Sequence, residues 1–198
     1  MKRSPFQAIL ILLFVLGCSN EITDLNAELN NPLDLEQVEC GLPALAFAPN
    51  IFDINRATNG VFTAEIFLMD SINSEQVYGG TKAVVSYNPE MLEFLGVNNG
   101  ELSAGSAPLF FVDDTTTAGR IEIISIFVSG DSTGVSGSNN VLVAGLEFRA
   151  LMDGISNLSF ERVESDTCAI ISTTCELVDP NDDPLSIMGF IDGMVNAY

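Results

Sequence analysis

From Leu45 onward, short apolar runs alternate with clusters of Gly, Asn, Asp and Ser. The runs are rich in Val, Ile, Phe and Thr, residues that pack well on a pleated, half-buried surface. They predict strands at Ala44–Ala48, Val61–Asp70, Val77–Tyr87, Leu92–Val97, Leu109–Asp113, Arg120–Val128, Val141–Leu151, Ser156–Val163 and Leu185–Asn196. Turns are signalled between them by Asn59-Gly60, Asn99-Gly100, Ala118-Gly119, Ser136-Gly137 and Asp153-Gly154. The single helical hint is Pro89-Glu90-Met91, one turn with Pro at its start. About nine short strands without a long helix predict an all-β, two-sheet sandwich. No repeat recurs at solenoid or propeller periods.

The first residues read differently. Met1-Lys2-Arg3 precedes an apolar run from Phe6 to Leu16, the order of a secretory signal. The run is shorter than the ~20 residues a membrane-spanning helix needs. Val15-Leu16-Gly17-Cys18 resembles the lipobox of bacterial lipoproteins. The resemblance implies a signal peptide over residues 1–17, cleavage before Cys18 and lipidation of Cys18, with more than one acyl chain for stable anchoring. Ser19 after the lipidated cysteine is compatible with sorting to an outer membrane. Residues 18–39 are polar and acidic and read as a tether, with a weak helical period through Leu25, Leu29 and Leu33. The β domain then spans residues 40–198.

Composition narrows the function. The 198 residues carry 27 acidic against 7 basic side chains, a net charge of -20. A phosphate backbone would be repelled, which argues against nucleic acid as a partner. Contact with a membrane is expected through the lipid anchor alone. There is no His, so Ser-His and Cys-His catalysis and His-ligated metals are excluded. No carboxylate pair is singled out by spacing for glycoside hydrolysis, and no cofactor motif is present. The domain reads as a binding module without catalytic residues.

Three segments together resemble the cohesin family. The first runs from Val77-Tyr78-Gly79-Gly80 through Ser86-Tyr87-Asn88-Pro89-Glu90-Met91-Leu92-Glu93-Phe94. The second is Ala118-Gly119-Arg120-Ile121 leading to Phe127, then Gly134-Val135-Ser136-Gly137 and the strand Leu142–Phe148. The third is Phe190-Ile191-Asp192-Gly193-Met194-Val195-Asn196. The resemblance covers nearly the whole chain from Leu45 onward and implies a nine-stranded jelly-roll sandwich, related to the sandwiches of carbohydrate-binding modules. It also implies a non-catalytic protein that binds dockerin modules, usually calcium-loaded helical pairs on secreted enzymes. The binding surface would be a flat face that includes the strand ending at Tyr87 and the strand Arg120–Val128. Type I cohesins carry an outward Asn and Asp on the first of these, where this chain has Gly80 and Lys82, and an outward acidic residue near Gly130.

Strand alternation gives its own view of that face. If Ala83, Val85 and Tyr87 point inward, then Gly80, Lys82, Val84 and Ser86 point outward. On Arg120–Val128 the family alignment implies that Ile121, Ile123, Ser125 and Phe127 point outward. The other set, Glu122, Ile124, Ile126 and Val128, is equally apolar, so periodicity does not choose. The candidate partner face is therefore Lys82, Val84, Ser86, Ile123, Ser125 and Phe127.

With Cys18 lipidated, Cys40, Cys168 and Cys175 remain. Export permits a disulfide, and Cys168–Cys175 would close a short excursion, with Cys40 to either as the alternative. Asp179, Asn181 and Asp183 have the alternating spacing that opens a calcium loop. Pro184 stands where such a loop needs Gly, and Phe190 where it needs its bidentate Glu, so an acidic turn is the favoured reading, with a surface calcium site as the alternative. Two further functions stay open. One is carbohydrate binding, weakened by the absence of Trp and the presence of only three Tyr. The other is a structural lipoprotein of the bacterial envelope. The leading expectation is a lipid-anchored module that docks a secreted, dockerin-bearing protein at the cell surface.

Overall fold

The computed structural model describes residues 41–58, 60–71, 74–103, 108–127, 134–136, 140–164 and 170–198. All of them lie in Pro32–Tyr198, the second of two units. The signal peptide, Cys18, the tether and Cys40 fall outside these residues, as do Gly130 and Cys168.

The chain enters at Gly41 and forms β1 (Ala44–Ala48), buried at every residue. It crosses at Pro49 to β2 (Ile51–Ile54), then forms β3 (Val61–Met69), β4 (Val77–Tyr78), β5 (Gly80–Tyr87) and β6 (Leu92–Asn99). A 3-10 turn at Glu101–Ser103 leads to β7 (Pro108–Asp113), β8 (Arg120–Phe127), β9 (Val135–Ser136) and β10 (Val141–Ala150). Next come β11 (Gly154–Phe160), β12 (Arg162–Glu164), β13 (Ile170–Thr173) and β14 (Glu176–Val178). The last strands are β15 (Pro184–Leu185), β16 (Gly189–Ile191) and β17 (Gly193–Ala197).

One sheet has the order β16-β1-β3-β10-β6. The other runs β15-β14-β5-β11-β17-β2, with β8 pairing β5 and β7 outside β8. Two short ribbons, β12–β13 and β4–β9, stand apart. At both ends of the described sandwich the backbone changes sheet. β1 pairs β16 in parallel in the first sheet, and β2 pairs β17 in parallel in the second. Asp192 alone separates β16 from β17, and its Oδ1 accepts a hydrogen bond from the Phe160 amide at 3.0 Å.

Between the sheets lies an aromatic core. Phe148 packs against Phe62, Tyr87 and Phe94, and Phe47 stacks on Phe160 with centroids 4.9 Å apart. Phe47 and Phe148 are fully buried and contribute about 1.5–3 kcal/mol each. Gly119 is needed at the β7–β8 turn, where φ is +79° and a Cβ would meet the Tyr87 carbonyl at 2.6 Å.

The all-β sandwich matches the expectation. Each of the nine expected strands is present, several of them in pieces. Val77–Tyr87 breaks at Gly79, and Leu185–Asn196 breaks where the chain changes sheet. Ser156–Val163 ends at Phe160, where the chain leaves the sheet for the β12–β13 ribbon. The predicted helical turn is present as Leu92 and Met91 amides donating to the Asn88 carbonyl at 2.9 and 3.1 Å.

Candidate functional site: the outer face of the second sheet

Cross-strand partners point to the same side of a sheet, so the β5–β8 register settles which residues face out. Thr81, Ala83 and Val85 lie opposite Ser125, Ile123 and Ile121. All six are buried between the sheets. The expected outward placement of Ile123 and Ser125 is therefore wrong. Both belong to the core, and the Ser125 hydroxyl has no hydrogen-bond partner among the described residues. Phe127 ends β8 opposite Pro108, and its side chain lies outside the described residues. The true outer set on β8 is Arg120, Glu122, Ile124 and Ile126, opposite Ser86, Val84, Lys82 and Gly80. The expected orientation of Lys82, Val84 and Ser86 thus agrees with the register.

β7 extends this face. Leu109 lies opposite Ile126, Phe111 opposite Ile124 and Asp113 opposite Glu122. Phe111 is 55% exposed and Leu109 42%. Leu109, Phe111, Ile124 and Ile126 thus form an apolar corner. Gly80 makes room for it, because a Cβ there would meet Ile126 Cγ2 at 2.4 Å. Beside the corner, Lys82 Nζ is spent on Glu176 Oε1 at 2.5 Å. Val84 lies on the outer face but is fully buried, beside the point where the chain leaves and rejoins the sheet edge.

That departure shapes the middle of the face. β11 pairs β5 at Val85–Tyr87, and β14 pairs the same edge at Gly80–Lys82. Between them β12 and β13 rise as a flap. At the gap the Glu161 amide donates to the Val84 carbonyl at 2.9 Å, and the Val84 amide donates to Cys175 Sγ at 3.3 Å. Cys175 is a free, buried thiol, and Cys168, its expected partner, lies outside the described residues. Burial pushes its pKa up. A groove of about 430 Å³ lies under the flap, lined by Ser86, Ser159, Glu161, Val163, Ser172 and Thr174 among others. Glu161 holds the groove together. Its Oε1 accepts from Arg120 Nε at 2.9 Å and from the Ser86 hydroxyl at 3.3 Å, and its Oε2 from the Thr174 hydroxyl at 3.1 Å. Arg120 also binds Glu122 at 3.0 Å. These carboxylates are ion-paired, an arrangement suited to structure rather than to proton transfer.

Arg162 anchors the flap. Its Nη1 donates to Asp192 at 2.7 Å and to the Phe160 carbonyl at 3.2 Å, its Nε to Glu164, and its guanidinium lies 5.0 Å from the Phe190 ring centroid. Nothing in the sequence pattern marked this hub.

The other candidates separate. Asp179 closes a turn, its Oδ1 accepting from the Asn181 and Asp183 amides at 2.7 and 2.9 Å. Those bonds hold its carboxyl below the usual range. Among the described residues no group of three or more acidic or sulfur ligands could hold a metal ion. The exposed aromatic rings among them are Phe111 on β7 and Tyr198 just after β17, at different corners, not a stacking platform.

No family model and no curated protein matches this sequence. The fold does match solved structures. A non-cellulosomal cohesin from the hyperthermophilic archaeon Archaeoglobus fulgidus superposes with a TM-score of 0.55 at 15% identity, over 78% of this chain and 90% of that one. A type I cohesin solved in complex with a dockerin from Clostridium thermocellum gives 0.58 at 12% identity, over 78% and 92%. A type II cohesin dyad from Acetivibrio cellulolyticus gives 0.58 at 19% identity, over 77% of this chain and 47% of that one. The fold of this chain is cohesin-like.

Proposed function

We propose that this chain, a sandwich of cohesin-like fold, is a non-catalytic protein-binding module whose partner is a dockerin-type domain. The observation that carries the reading is the apolar corner at Leu109, Phe111, Ile124 and Ile126, set on the outer face of a sheet. Contiguous exposed apolar side chains of this kind mark interaction surfaces. The cohesin solved with a bound dockerin supports the choice of partner. Gly80 and Lys82 replace the polar contacts that the type I resemblance implies, so recognition here is led by apolar contact. The lipobox-like Val15-Leu16-Gly17-Cys18 supports anchoring of the module to a bacterial envelope through Cys18.

The test is a pull-down from the source organism's secreted proteins, with and without calcium, using the mature chain with Cys18→Ser as bait. A calcium-dependent catch of dockerin-bearing proteins is the expected result. Phe111→Ala weakens that catch by about tenfold or more, as loss of a central apolar anchor does. An empty pull-down, with retention on insoluble polysaccharide instead, overturns the reading. Labelled fatty acid incorporated into the wild type but not into Cys18→Ser checks the anchor.

A further inference from the structure

The outer face has a second apolar corner, diagonally across from the first. The register sets Asn157, Met194 and Ile51 side by side on β11, β17 and β2, with Ile155, Asn196 and Asp53 as the next row. Ile51, Met194 and Ile155 therefore share the outer face, and strand alternation carries Tyr198 onto it. Leu151 and Met152 lie on the β10–β11 turn that leads into β11 just before Ile155. Ile155 is 64% exposed, Tyr198 59% and Met152 49%. Several exposed apolar side chains gathered on one face and its adjoining turn mark an interaction site.

The corner is built rather than loose. Arg56 grips the turn, with Nη1 on Asp153 Oδ1 and Nη2 on the Leu151 carbonyl, both at 2.6 Å. The Leu151 amide donates to the Met91 carbonyl at 2.8 Å, and a Cβ on Gly154 would meet Met91 Cε at 2.9 Å. A surface already held in shape loses little entropy when it is covered.

Charge selects the occupant. Arg56 is neutralised by Asp153, and the Asp53 carboxylate lies on the same face, in the row beside Met194 and Ile51. Every described basic residue is in fact ion-paired within the chain. A second copy would set one acidic rim against another, each on a chain of net charge -20. An anionic membrane is repelled in the same way, and this corner lies at the end of the sandwich away from Gly41. We infer that the corner is a second docking surface for an amphipathic helix whose apolar ridge is flanked by Lys and Arg. Met152 and Met194 supply the adaptable, polarisable contacts such a helix needs. With the flap between the two corners, the module holds two proteins at once.

The test titrates the whole mature chain with two synthetic helices by calorimetry. They share one Leu ridge, flanked by Lys in one and by Glu in the other. At ~0.15 M salt diffuse attraction is largely screened. The Lys-flanked helix is expected to bind and the Glu-flanked helix not. Ile155→Ser and Met152→Ser should each weaken binding by about tenfold, and Ile171→Ser, an exposed change on the flap, should not. Both sites are exposed, and an unchanged Tm confirms that the variants fold. Equal binding of the two helices, binding of neither, or a loss produced by Phe111→Ser instead of Ile155→Ser overturns the inference.

Discussion

Cys175 takes a place in the sheet edge that a backbone carbonyl would usually fill. Its sulfur accepts the Val84 amide where β11 has ended and β14 has not begun. Burial holds the thiol neutral, so its pKa in the folded chain is above the ~8.5 of an unfolded one. A raised acid pKa contributes stability below the unfolded value, and that contribution is lost as pH rises towards the folded one. Stability should therefore fall above about pH 8.5. Cys175→Ser should remove that fall, read from chemical denaturation at several pH values. Tyr78, raised by burial and its 2.5 Å bond to Asp70, adds a similar decline only at higher pH. The neighbouring strand makes a sharper point. β8 is apolar on both faces, so its sequence carried no signal of which side is core, and the family alignment chose wrongly. Ile123→Ser should cost about 2–4 kcal/mol, as a cavity with a buried hydroxyl does. Ile124→Ser should cost about 1 kcal/mol or less while weakening partner binding. Equal losses of stability would contradict the assigned faces.

At the scale of elements, the flap is the feature the sequence hid. Residues 161–178 hold no long apolar run, and β12, β13 and β14 are three or four residues each. Only the Cys168–Cys175 spacing hinted at an excursion there. The strands around it were legible because their apolar runs are long and bounded by turn residues, as at Asn88-Pro89 and Ala118-Gly119. Arg162 fixes the base of the flap to Asp192 and Phe190. Arg162→Ala leaves Asp192 without its cation and should lower stability by about 1–3 kcal/mol. Hydrogen exchange should quicken in β12 and β13 before it does in β3 or β10. Uniform exchange across all four strands would show that Arg162 is not the anchor.

The whole molecule is governed by its charge. Each basic side chain among the described residues is already held by a carboxylate, and the acidic excess is left facing water. Self-repulsion destabilises a compact chain and is screened by salt. Tm should therefore rise between about 0.01 and 1 M sodium chloride, and a flat or falling Tm would show that the internal pairs outweigh the repulsion. The acidic balance was plain in the composition, but its completeness, with no described cation to spare, was visible only once the pairs were placed in space.

The two terminal strands bear on how such a domain carries load. β1 runs parallel to β16, and β2 runs parallel to β17. A pull between Gly41 and Tyr198 drags these neighbours past each other along their length. Every rung of each short ladder is then strained together instead of opening one after another, as happens when a hairpin is peeled. Single-molecule stretching along that axis should therefore meet a higher rupture force than peeling β6 away from β10.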